Sequence, residues 1–271
     1  MSSLPHPASD SVRSTFAACV VIPVFNHGHA IASVVDSVRV HGLPVLLIDD
    51  GSDAACAHEL QRLGKLTDVT LLRHEFNRGK GAAVCTGLHA ARQRGFTHAV
   101  QVDADGQHTL ADIRHFVDEA RTHPGSLVCG APLFDAGIPN SRRYGRYLSH
   151  GMVWLETLSF DVADSMCGFR VYPLAPTLAL LDRQQLGPRM DFDIEILVRL
   201  HWRDVPMRWL PTQVSYPRNG VSHYRVFFDN VHVVGLHARL FAEMLVRMPV
   251  LLWKKSLRRR GGKQWSNATS S

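Results

Sequence analysis

The chain reads as α/β, a mostly parallel sheet with helices on both faces, and three observations predict it. Short apolar runs alternate with segments of helical periodicity through the first half. The runs are continuous rather than alternating, as strands buried on both faces are. Each run stops in a polar, glycine-containing segment, and in such sheets the ligand crevice lies beyond the carboxyl ends of the strands.

The elements follow in order. Ala18–Val24 is β-branched and halts at Asn26-His27-Gly28, before a helix over 30–40. The strand 45–48 ends in Asp49-Asp50-Gly51-Ser52, and a helix follows around 55–63. A third strand, 69–72, leads to Asn77-Arg78-Gly79-Lys80-Gly81 and a helix over 82–94. The fourth, 99–102, breaks into Asp103-Ala104-Asp105-Gly106-Gln107-His108 ahead of a helix over 110–121. The second half is less regular. It offers a strand at 127–129, a helix over 142–158 and a polar turn, 164–171, through Cys167-Gly168-Phe169-Arg170. A helix at 192–200 carries Asp193 and Glu195, and Met207–Val214 is a strand before Arg218-Asn219-Gly220-Val221-Ser222. From Val226 to Arg247, Phe227, Val231, Val234, Ala238, Phe241 and Leu245 recur at helical spacing. Asp229, Arg239, Glu243 and Arg247 fall opposite them, and Pro249 ends the helix. The expected division is a flexible tail (1–17), a catalytic domain (18–225), an amphipathic helical segment (226–257) and a basic polar tail (258–271).

With 271 residues, 45% of them hydrophobic, the chain can bury a full core. Its excess of Lys and Arg, 30 against 24 Asp and Glu, is concentrated late, at Lys254, Lys255, Arg258, Arg259, Arg260 and Lys263. Such a terminal cluster can meet nucleic acid or anionic lipid, or simply keep a tail solvated; a lipid acceptor would tip it toward an anionic membrane surface, with no nucleic acid partner. Five scattered cysteines without C-x-x-C spacing fit a reducing compartment. Sixteen histidines include no H-x-x-x-H pair, which argues against zinc. Residues 1–15 lack an apolar signal segment, and no run approaches the ~20 apolar residues of a membrane span. The expected location is cytoplasmic, peripheral on the inner face of the cytoplasmic membrane.

Alternate residues of an extended chain share a side, so Asp103, Asp105 and Gln107 project together. Three oxygen donors suit a hard divalent cation that also holds phosphate. A polar turn would look the same in isolation, but four such segments converge on one sheet edge. Asp50, with Asp49, can accept from a nucleobase imide or ribose hydroxyls, whereas a helix cap needs only Ser52 or Asp53. Backbone N–H groups and Lys80 ahead of a helix attract anions. The loop is not G-x-x-x-x-G-K-[ST], and no G-x-G-x-x-G follows the first strand, which disfavours a P-loop NTPase and a Rossmann dehydrogenase.

Taken with Val21-Ile22-Pro23-Val24-Phe25-Asn26, Gly168-Phe169-Arg170, Asp193 with Glu195, and the Arg218 loop, these segments give a chain that resembles family 2 glycosyltransferases. They cover roughly 18–225 in order. The resemblance is to the GT-A fold and the polyprenyl-phosphate (dolichol-phosphate mannose synthase-like) branch. It implies a Rossmann-like sheet with a C-terminal amphipathic helical extension, and inverting transfer from a nucleotide-diphosphate sugar to a lipid or polyprenyl-phosphate acceptor. It also implies Mg²⁺ or Mn²⁺ at Asp105 and Gln107 with Asp103 beside them. Pro23, Phe25, Asn26, Asp49, Asp50, Lys80 and Asp103 are the implied donor ligands, and Arg170, Arg218, Ser222 and Arg225 the acceptor ligands. One departure stands out. Many members carry Gly-Ser-Arg after the fifth strand; here the residues are Gly130-Ala131-Pro132, so Arg142, Arg143 or Arg146 is expected to stand in.

A lipid phosphate is already an anionic nucleophile, whereas a hydroxyl acceptor needs a carboxylate base. Asp193 and Glu195 join Asp103 and Asp105 as the candidate catalytic set, against the alternative of solvated carboxylates or an ion pair to Arg199. Three other functions compete. A transferase acting on a hydroxyl of another lipid or glycan would use such a base. A nucleotidyltransferase would want a glycine-rich loop after the first strand. A non-catalytic sugar-nucleotide binder would tolerate the missing arginine.

Overall fold

A computed structural model describes residues 15–134, 140–214 and 226–266, with side chains over 15–133, 146–214 and 231–256. Among these residues seven strands form one sheet: β1 (Ala18–Val24), β2 (Val45–Asp49), β3 (Val69–Arg73), β4 (His98–Gln101), β5 (Leu127–Phe134), β6 (Arg170–Pro173) and β7 (Met207–Val214). Their order is β3-β2-β1-β4-β6-β5-β7. All pairings are parallel except those of β6, which runs antiparallel to β4 and to β5. The chain leaves β1 toward β2 on one side and returns to β4 on the other. Strand direction of travel therefore reverses at β1/β4, and a crevice opens at their carboxyl ends.

Alternation along each strand sends side chains to two cores. Cys19, Val21, Leu46 and Ile48 pack with α3 (Lys80–Gln93), α6 (Leu174–Leu181) and α7 (Phe192–Trp202). Val20, Ile22, Val24 and Leu47 face α1 (Gly28–Arg39), α2 (Ala54–Leu63) and α4 (Ile113–Thr122). Two further helices, α5 (Asn140–Thr157) and α8 (Val226–Ser266), complete the described chain. The expected turn at 164–171 closes into β6, whose four residues are all buried. Helix α6 is absent from the sequence expectations because all but Thr177 of its eight residues are apolar, which leaves little 3.6-residue period to find.

Helix α8 corrects two expectations. It continues through Pro249 to Ser266, past the expected end of the helical segment at 257. Proline removes one backbone hydrogen bond and crowds the preceding turn, but contacts on both sides hold the helix. Glu243 pairs with Arg199 before the proline; after it, Lys254 pairs with Asp204 and Lys255 Nζ donates to Leu158 O at 2.9 Å. The core-facing stripe is also a different one. Leu236, Leu240 and Met244 are buried, with His237 among them. Most of the expected apolar stripe points outward instead, with Val234 67% exposed beside Val246 (83%) and Trp253 (64%), while Phe241 stays packed against the core. Arg239 and Glu243, expected in solvent, turn toward α7. A helix apolar on two sides satisfies the same periodicity with either side inward. The side chain of Phe227 and residues 1–14 of the expected tail lie outside the described residues.

His98, on β4, is buried with Nε2 3.0 Å from Pro124 O and its ring stacked on Phe16. Burial pushes its pKa down, against the opposing pull of the Pro124 carbonyl. The folded chain therefore takes up this proton less readily than the unfolded chain. Stability is full above about pH 6.5 and falls below it, by at most ~1.4 kcal/mol per pH unit. Urea unfolding at pH 7.5 and 5.5 is expected to show a smaller loss in His98→Gln than in the parent chain; equal losses exclude His98 as the source.

Candidate active site

The ends of β1, β2 and β4 and the start of α3 enclose a cavity of about 410 Å³, lined among others by Pro23, Phe25, His27, Asp50, Asn77, Lys80, Asp103 and Asp105. Lys80 sits at its floor between two carboxylates. Its Nζ lies 2.8 and 3.0 Å from the Asp103 oxygens and 2.9 Å from Asp193 Oδ2. Behind it, Gln101 Nε2 donates to Asp193 Oδ1 at 3.2 Å, and Tyr172 OH donates to Gln101 Oε1 at 3.1 Å.

Backbone geometry delivers the lysine. Gly79 has φ +101°, a conformation that side chains rarely adopt, and α3 begins at the next residue. Gly168 makes room on the other side: a Cβ there would fall 2.8–2.9 Å from Asp103 Oδ2, Gln101 Nε2 and Lys80 Nζ. Burial opposes the charge on Lys80, yet Asp103 and Asp193 hold its ammonium well above the usual lysine range. Burial likewise favours a neutral Asp103, but Lys80 and His108 overcome it and keep the carboxyl far below the usual range. Asp105 goes the other way: burial and then the Asp103 charge push its pKa up.

Asp105 accepts from Gln107 N at 3.0 Å and makes no ion pair among the described residues. No three His, Cys, Asp or Glu side chains there converge to hold a metal unaided. A desolvated carboxylate repelled by its neighbour, beside a carboxamide, is nevertheless a fitting partial shell for a divalent cation that takes its remaining ligands from phosphate and water. A second cavity of about 100 Å³ adjoins this corner, lined by Asp103, Asp105, Gln107, His108 and Arg146. His108 Nε2 is 3.5 Å from Asp103 Oδ2. Arg146 is steered by Asp164, with Nε 2.7 Å from Oδ2. A cation thus reaches the cleft beside Pro132 from α5 rather than from the strand.

Several expected ligands are engaged by the scaffold. Asp49 is fully buried, accepts from Ser52 N at 2.8 Å and lies 3.0 Å from Arg73 NH1, so no donor reaches it. Asp50 borders the cavity, but its carboxylate accepts from Arg78 N (2.9 Å) and Gly79 N (2.7 Å) and pairs with His74 Nδ1 (2.7 Å), clamping the glycine loop. Asn26, at φ +55°, accepts from Asp53 N at 2.8 Å and ties the first turn to the second. Arg170 is fully buried, donating to Asp193 O at 2.6 Å and Ser165 O at 3.0 Å, and is out of reach of an acceptor. Glu195 is fully buried between Arg199 and Arg239, both at 2.7 Å, which rules it out as a base and bears out the ion pair to Arg199. The side chains of Arg142 and Arg143, and all of Arg218, Ser222 and Arg225, lie outside the described residues. Sequence reasoning missed His27 and Asn77, although both stand in segments it singled out. It also missed Arg189 and Met190, which carry no sequence signal and reach the cavity from the distant turn before α7.

An open α/β sheet with an acidic, lysine-braced cleft at its switch point is the architecture of GT-A glycosyltransferases. Residues 19–183, more than half of the chain, match the model for glycosyl transferase family 2, and the chain belongs to that family. Polyprenol monophosphomannose synthase of Mycolicibacterium smegmatis is 32% identical over 256 residues, spanning 85% of this chain and 91% of the relative. UDP-N-acetylglucosamine--dolichyl-phosphate N-acetylglucosaminyltransferase of Methanococcus voltae is 26% identical over 236 residues, spanning 77% and 92%. Glucosyl-3-phosphoglycerate synthase of Mycobacterium tuberculosis, crystallised with Mn²⁺ and UDP-glucose, superposes with a TM-score of 0.61 at 17% identity, over 86% of this chain and 79% of that one. At that identity the likeness speaks for the fold.

Removing the central cation leaves the buried Asp193 facing the part-buried Asp103 with nothing between them. Lys80→Met is expected to destabilise the fold by about 3–5 kcal/mol and to abolish activity. Urea titration checks the first part. An unchanged midpoint would mean that the two carboxylates relax into water.

Proposed function

We propose that the protein transfers a sugar, with inversion, from a nucleotide-diphosphate sugar to a lipid-linked phosphate such as polyprenyl phosphate. One observation carries this reading: of the cleft carboxylates, Asp103 and Asp193 are already engaged, and Asp105, which makes no ion pair among the described residues, is the one assigned to the metal. Asp103 is held by Lys80 with His108 nearby, and both oxygens of Asp193 are taken by Lys80 and Gln101. A hydroxyl acceptor requires a free base; a phosphate acceptor arrives as an anion and requires cations. The names of the relatives, which include dolichyl-phosphate and polyprenol-phosphate enzymes, support the same acceptor class.

The phosphate oxygen attacks the anomeric carbon from the face opposite the leaving diphosphate, in one displacement without a protein nucleophile. Pro23, Phe25 and Asn77 surround the nucleoside in this reading, and Asp103 faces ribose and phosphate. Arg146, with Arg142 or Arg143, supplies the cation missing at Pro132, and Arg218, Ser222 and Arg225 bind the acceptor. Asp105, Gln107 and Asp103 would hold Mg²⁺ or Mn²⁺, whose chemistry is to neutralise the departing diphosphate. Lys80 keeps Asp103 ionised and in place at that corner.

Residues 18–225 form the catalytic unit and α8 its attachment. No helix among the described residues is long and apolar enough to cross a membrane. The outward face of α8, with Val246 and Trp253, fits peripheral contact with a membrane leaflet on the cytoplasmic side.

A panel of UDP- and GDP-sugars against polyprenyl phosphate and lipid alcohols, read by mass spectrometry, tests the reaction. The expected product is a glycosyl phosphodiester of inverted anomeric configuration, with Asp105→Ala slower by about 10²–10³-fold. Glycosylation of the alcohol alone would sink the phosphate reading. Separately, Val246→Glu with Trp253→Glu is expected to lose sedimentation with anionic vesicles while keeping the parent unfolding midpoint; retained sedimentation removes this face from the membrane contact.

A further inference from the structure

Arg239, Glu195, Arg199 and Glu243 form a chain of ion pairs where α8 packs on α7. Glu195 accepts from Arg199 Nε through Oε1 and from Arg239 NH2 through Oε2, each at 2.7 Å. Arg199 places its other two nitrogens on Glu243, at 2.9 and 2.8 Å. A helix seam does not require such a set, since apolar residues of similar volume hold helices together at least as well. Its distinguishing feature is what else it grips. Glu195 Oε2 also accepts the backbone N–H of Gly187 at 2.8 Å.

Gly187 opens the segment 187–190, which lies over the start of α3. Ala82 N donates to Pro188 O at 3.0 Å. A Cβ on Gly79 would fall 2.4 Å from Pro188 O, and one on Gly81 would fall 2.7 Å from Gly187 O. The segment therefore rests directly on the backbone flanking Lys80. Its last two residues, Arg189 and Met190, line the larger cavity.

We propose that α8, through Arg239 and Glu243, holds this rim of the donor cavity in its binding position, with Glu195 as the positioning residue. The proposal rests on the donor reading above, and the ligand it concerns is a nucleoside diphosphate. Substitutions on α8, remote from the cavity, then weaken nucleotide binding without touching the nucleotide.

Arg239 is 50% exposed and Glu243 is part-exposed, so Arg239→Gln and Glu243→Gln test the link with little risk to folding. Arg247→Gln, whose guanidinium lies over the Trp202 ring, is the control on the same helix. Amide hydrogen exchange of the ligand-free full chain reads the rim directly, and calorimetry with UDP or GDP plus Mg²⁺ reads binding. Both network variants are expected to speed exchange across 184–191 about tenfold and to raise Kd by a similar factor, the scale of one charge-assisted hydrogen bond. Arg239→Lys is expected to restore part of each effect, and the control to change neither. Unchanged exchange at 184–191 overturns the proposal, as does a rise spread evenly over α7 and α8, which marks a merely structural seam. Faster rim exchange in a chain that binds neither nucleotide would refute the donor reading while upholding the positioning contact.

Discussion

Lys80 joins parts of the chain that lie far apart in sequence, because its ammonium is shared by a carboxylate at the end of β4 and another at the start of α7. Without a cation between them, Asp103 and Asp193 would face each other as like charges. The arrangement reaches back through Gln101 to Tyr172, so the cleft floor is continuous with a buried polar chain crossing β4 and β6. Gly79 and Gly168 exist in this account to let backbone come close enough for that contact. The inserted antiparallel strand β6 matters for the same reason, since it brings Gly168 and Tyr172 alongside β4.

Much of the acidic character of the cleft is structural. Asp50 collects two backbone N–H groups of the glycine loop and the His74 ring, and Asp49 collects Ser52 and Arg73. These carboxylates act as folding templates for loops that carry few side chains of their own. Asp105 is different. It is left largely desolvated and next to a like charge, an expensive state.

The first half of the fold was legible because parallel strands bury both faces and punctuate their ends. β1 coincides with its expected range, and the acidic and glycine segments meet at the cleft as their positions at strand ends implied. The second half was harder for physical reasons. Four-residue β6 and mostly apolar α6 offer little period, and α8 offers the same period twice. Residue type indicated chemistry but not direction. Asp193 and Glu195, two positions apart on one helix, end in different surroundings, one at the cleft and one beneath α8. Arg189 and Met190 could not be read at all, because only tertiary packing brings their turn to the cavity.

The two apolar faces of α8 divide one helix between separate pressures. Leu236, Leu240 and Met244 answer to the core, where a changed methylene is felt at once. Val234, Val246 and Trp253 are mostly exposed, so exchanging them costs folding far less. Variation along the inner face is therefore bounded by whether the chain folds, and variation along the outer face is not. Neighbouring residues on this helix are thus free to drift at different rates and for unrelated reasons.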